Sequence, residues 1–68
     1  MENQVKQAHV ERMIVEKVEL QGKVQRLLDF VNTPIYQDLD ETTKGLLAIQ
    51  GRAMQTYLEC LQLRINLI

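Results

Sequence analysis

The sequence predicts an all-α fold: an antiparallel two-helix hairpin (long helix, short connector, long helix) that assembles into a homo-oligomeric helical bundle. Three observations predict it. Apolar residues recur at alternating steps of three and four along two long stretches, the one proline and a capping aspartate fall in the short stretch between them, and the second stretch is apolar on more sides than a single neighbouring helix can cover. The 68 residues make a single helical-hairpin domain, 1–68, with a helix over about 3–32, a connector at 33–39 and a helix over about 40–66.

In the first helix Val10, Met13, Lys17, Leu20, Val24, Leu27 and Val31 form the heptad seam of a helix packed on a partner. Ile14 and Leu28 widen that stripe, and Glu16, Glu19, Lys23 and Arg26 take the other faces, with Glu19 four residues ahead of Lys23 in the favourable order. Lys17 is the odd member of the seam. A buried ammonium is costly unless its stem packs and its head reaches water or a carboxylate, so Lys17 reads either as a snorkelling seam residue or as part of an anion site.

Pro34 fixes its own φ and turns Thr33 away from helical geometry, which ends the first helix by Asn32. Thr33 is placed to cap one short turn with Pro34 at its first position. Asp40 is the natural N-cap of the second helix, and Leu39 before it is placed as a hydrophobic staple. A connector this short makes the helices antiparallel. Folding back about it pairs Leu27 with Leu47, Leu20 with Met54 and Lys17 with Tyr57.

The second helix carries two apolar stripes. Leu47, Met54, Leu58, Leu61, Ile65 and Ile68 form one, interrupted by Gly51, and Leu46, Ile49, Ala53, Cys60, Leu63 and Leu67 form the other. Lys44, Arg52, Gln55, Glu59, Gln62 and Asn66 make the only polar strip, so the helix is expected to be buried on more than one side. The first helix covers one stripe. The second stripe is the expected oligomer interface, and Gly51 and Ala53 would let another backbone come close.

Size points the same way. A chain this short buries only about 60% of its unfolded surface and needs a supplement to its core. One cysteine, Cys60, and one histidine, His9, build neither a disulfide framework nor a zinc site within the chain, so no metal is expected and self-association remains. The lone thiol, the polar start Met1-Glu2-Asn3-Gln4 and the lack of any long apolar run lead to the expectation of a cytoplasmic protein with no membrane span. Eight basic and nine acidic side chains leave a net charge of −1, and no duplex nucleic acid is expected as a partner.

Catalytic residues are not expected. Cys60 has no histidine or acid spaced to activate it and reads as a small buried hydrophobe. His9 reads as a surface residue, Met13 and Met54 as core filler, and the carboxylates as solvent-facing helix positions without a cleft. Gly45 and Gly51 lie inside a helix and lack the spacing of a phosphate loop. No cofactor follows from any of these. The residues that carry a ligand hypothesis are Arg12, Lys17, Tyr57 and Arg64, in which cations hold phosphates and the tyrosine stacks on a base.

The run Glu11-Arg12-Met13-Ile14-Val15-Glu16-Lys17-Val18-Glu19-Leu20, with Lys23, Leu27, Phe30, Leu39, Leu46-Leu47, Gln50, Met54, Tyr57, Leu61 and Arg64-Ile65, resembles a family of small phage-encoded helical hairpins related to a protein of crAss-like phages. The resemblance spans about Glu11 to Ile65. Gly22 stands where that family tends to carry a polar or acidic residue, and the ending Asn66-Leu67-Ile68 lacks its usual aromatic close. The resemblance implies a phage accessory protein working in the cytoplasm of an infected bacterial host. The hairpin plan is similar, more distantly, to the hairpin sponge proteins that phages turn against CBASS and Thoeris immunity. It implies sequestration, without catalysis, of a cyclic nucleotide or ADP-ribose-type messenger by a homo-oligomer. The alternative is a small helical interaction module that lays its spare stripe on a host defence or replication protein.

Overall fold

The computed structural model describes residues 2–68, with side chains from Lys6 onward. The polar start at Met1 to Gln4, on which the expectation of no targeting segment rests, lies outside the described side chains. Two long helices, α1 (Glu2–Val31) and α3 (Glu41–Asn66), are joined through a single turn, α2 (Pro34–Gln37). Both long helices run through their seams without a break. No helix of the described residues is long and apolar enough to cross a membrane.

The connector is pinned by the residues that punctuate it. Thr33 is extended (φ −100°, ψ 156°), and its side-chain oxygen accepts the Tyr36 N–H at 3.3 Å while the hydroxyl donates to the Phe30 carbonyl at 2.6 Å. One residue thus closes the end of α1 and opens α2, with Pro34 following at a position where no N–H is needed. The Tyr36 ring meets Phe30 edge-on, with centroids 6.1 Å apart and planes at 83°. Lys44 reaches over the same ring, 5.6 Å from its centroid, and lies 3.7 Å from Glu41. An aromatic pair and a cation on its face fix the angle at which the chain turns back.

Asp40, extended at φ −68° and ψ 162°, caps α3 by accepting the Thr43 N–H at 2.6 Å. That bond, then one from the Thr43 hydroxyl, holds the Asp40 carboxyl below its ordinary value of 3.8. Arg64 in the last turn complements the opposite end of the helix dipole.

Between α1 and α3 the core is a single seam. Met13, Val24 and Leu61 are buried, with Leu61 wholly covered. Leu20, Leu27, Val31, Leu47, Met54, Leu58 and Ile65 are half-buried along the same line. Leu27 and Leu47 line one groove, and Lys6 and His9 line another with Leu67 and Ile68. The first turns of α1 therefore lie against the last residues of the chain. Gly51 serves this seam: a Cβ there would come within 3.3 Å of Leu27 Cδ2. Its close approach is to the Leu27 side chain of α1 in its own chain.

The hairpin is a rod, 54 × 15 × 13 Å, with a radius of gyration of 16.0 Å. A compact domain of this length has about 11 Å. It exposes 5479 Å², where a compact monomer of 7.9 kDa exposes about 4,400 Å². Roughly 1,000 Å² of surface per chain is left over by that comparison.

Candidate functional site

Successive residues of an α-helix are turned by about 100°, and this sets which candidate side chains share an edge of the rod. Tyr57 projects from α3 toward α1 and its hydroxyl donates to the Glu16 carboxylate. That bond ties the two helices at the register expected from the connector. Arg12, one turn before Glu16 on α1, and Arg64, two turns after Tyr57 on α3, fall on the same edge by helical spacing. Both are exposed.

Lys17 is turned about 100° from Glu16 and belongs to the opposite border of the seam. It is half-buried, as a lysine with a packed stem and a solvated head is. Tyr57 therefore pairs with the neighbour of Lys17 in sequence and not with Lys17 itself. The sequence placed these side chains to within about one turn, and the ambiguity lay in which border of the seam each would take. Arg12 lines a groove with Ala8, Glu11 and Val15, and its Nε lies 3.4 Å from the Ala8 carbonyl oxygen, which it donates to. That groove is formed by α1 alone.

The second stripe of α3 lies on the back of the hairpin. Leu46, Ile49, Ala53, Cys60, Leu63 and Leu67 are all exposed, from Ile49 at 56% to Leu67 at 86% among the large ones. Thr56, also exposed, fills the one vacant step, so the stripe runs 46, 49, 53, 56, 60, 63, 67 without a gap and without a charge. Cys60 is thus a member of an exposed stripe on the single chain and not a buried hydrophobe. It becomes one only if the stripe is covered.

A further apolar set was not separated from the seam by sequence reasoning. Ile14 and Leu28, which the spacing predicts as widening the seam, are exposed at 44% and 45%, and Val15 and Val18 beside them at 57% and 59%. The signal was present in the second 4-3-4-3 series Ile14, Val18, Gln21, Gln25, Leu28, whose two glutamines mask it.

Among the described residues no three histidine, cysteine or acidic side chains gather as a metal site would require. Neither a curated protein nor a solved structure matches the chain. The Sequestin family model does match, over residues 7–67, which takes in α1 from Gln7, the connector, all of α3 and every candidate ligand and interface residue. The chain belongs to the Sequestin family.

Proposed function

We propose that this protein is a homo-oligomeric phage accessory protein that binds and sequesters a nucleotide immune messenger, a cyclic oligonucleotide or an ADP-ribose-type signal, in the cytoplasm of the infected host. It holds the messenger and does not turn it over. The observation that carries this reading is the Sequestin match over residues 7–67, since the family's name is that of a sequestering protein. The hairpin supports it chemically. Arg12 and Arg64 place two guanidinium groups along one edge, both on the open-end side of the Tyr57 ring by helical spacing, and phosphates with a flat base are what that combination binds. Lys17, at the other border, belongs to the set as a more remote cation. Sequestration needs tight binding and slow release, and small rigid helices in an oligomer provide preorganised side chains for that.

The test is a thermal-shift panel of cyclic di- and trinucleotides and ADP-ribose isomers, followed by heat release and chromatography of whatever was bound. The expected result is a shift with at least one member and its recovery unchanged. Tyr57→Ala, with unaltered circular dichroism, should weaken capture by about 5- to 150-fold, the loss of one base–aromatic stack. Arg12→Ala, Lys17→Ala and Arg64→Ala should each weaken it as well. No shift with any member, or recovery of a converted product, overturns the reading.

A second reading has the exposed uncharged stripe of α3 on its side: capture of a host defence or replication protein by that face. It predicts that Leu63→Asp abolishes host-protein capture while leaving the chain's own mass in solution unchanged.

A further inference from the structure

We infer that the back of α3 pairs with a second copy of this chain as an antiparallel helix pair about a two-fold axis at Thr56. This rests on the homo-oligomer in the reading above and gives it a geometry. The stripe Leu46, Ile49, Ala53, Thr56, Cys60, Leu63, Leu67 keeps steps of three and four over three heptads, the pattern of a helix that packs on a helix. Its order of sizes is a palindrome. Two large residues stand at each end and three small ones, Ala53, Thr56 and Cys60, in the middle.

Laid antiparallel on itself, the stripe sets Leu46 opposite Leu67, Ile49 opposite Leu63, Ala53 opposite Cys60 and Thr56 beside Thr56. Large meets large at the ends, and the small centre lets the two backbones approach. A parallel pair requires no such palindrome. It also prefers β-branched residues at the first core position of each heptad and leucine at the second. Here Ile49 and Thr56 take the second position and leucine takes the first at Leu46 and Leu67.

The flanks agree with the antiparallel choice. Arg52 and Glu59, both exposed on the same border of the stripe, come opposite each other across the two-fold, twice per dimer. The two α3 dipoles oppose each other. The area also fits, because the roughly 1,000 Å² of surplus surface per chain is enough for the ~800 Å² per partner of a standard interface. Tyr57 of each copy lies next to the axis, which brings the two rings of the dimer to one border.

Cysteine placement tests this directly, because Cys60 is the only thiol. Facing core positions of such a pair are within the Cα separation of a disulfide, whereas Cys60 of one copy and Cys60 of the other are offset by about 10 Å along the axis. The full chain and its variants are treated with diamide, which removes two hydrogens from a thiol pair, and run without reductant. Ala53→Cys should give a disulfide-linked dimer in high yield. The wild type, and Ala53→Cys combined with Cys60→Ala, should stay mostly uncrosslinked.

Light scattering on the untreated wild type separates the ways of failing. A multimer whose wild type crosslinks efficiently through Cys60 overturns the antiparallel register and leaves self-association standing. A multimer in which Ala53→Cys fails to crosslink places the interface elsewhere and equally overturns the inference. A monomer overturns both the inference and the homo-oligomer on which it rests.

Discussion

The Asp40 carboxylate accepts the Thr43 N–H at the head of α3, and it is fully exposed, so its contribution rests on two local hydrogen bonds and the helix dipole. Because the folded-state value lies below the ordinary 3.8, the stabilisation is complete above that value and is lost as pH falls through the lowered one. Asp40→Ala should lower the melting temperature at neutral pH by about 4–8 °C at fixed protein concentration. The gap between variant and wild type should narrow on acidification. Asp40→Asn keeps a capping acceptor and should recover most of the neutral-pH loss without the acid dependence; melts followed by circular dichroism at both pH values check all three. Leu61 works at the other extreme, as the wholly covered side chain of the seam. Leu61→Ala opens a cavity between the helices and should cost about 2–5 kcal/mol, read as a fall in the urea midpoint. Among the described residues only Met13 and Val24 are buried as well, so that cost is large relative to the stability of so small a chain.

The two glycines of α3 separate backbone preference from packing. At Gly45 a methyl would meet nothing within 4 Å, so Gly45→Ala should gain the helix propensity alone, about 0.8–1 kcal/mol. At Gly51 the same methyl comes within 3.3 Å of Leu27 Cδ2, and the flexible leucine end must shift by a few tenths of an ångström. Gly51→Ala should therefore gain less than Gly45→Ala, and equal gains in chemical denaturation would show that the Leu27 contact is slack. Which elements form was legible in the sequence because each has a local cause: the 3-4 spacing of the seam, Thr33 and Pro34 at the turn, Asp40 at the next start. Which way the side chains faced was legible only in part. Ile14 and Leu28 differ from true seam residues by a fraction of a turn, and Lys17 and Glu16 by one residue, yet those small rotations decide whether a side chain meets α3, solvent or the Tyr57 hydroxyl. Spacing along one helix does not settle that rotation, which depends on where the partner helix sits. The candidate ligand set was accordingly readable as residue types and not as a single constellation.

The elongated shape of the whole molecule favours association. A rod 54 Å long has a small core for its surface, and the apolar stripes on its two outer sides raise the apolar surface left in water. If folding and association are one event, stability depends on protein concentration by mass action. The melting temperature of the wild type should then climb steadily over a hundredfold range of concentration, where that of an isolated hairpin would stay flat. Leu63→Asp puts a charge into the exposed stripe without touching the seam to α1, since Leu63 is 63% exposed on the single chain. On the hairpin by itself such a surface change is worth no more than about half a kcal/mol. Buried against a second copy, the carboxylate would appear twice in one interface and lose its hydration, and the assembly should fall apart with a marked loss of helical signal at micromolar concentration. A Leu63→Asp chain that keeps both its helicity and its assembled mass would place the association surface on the other exposed set, Ile14, Val15, Val18 and Leu28.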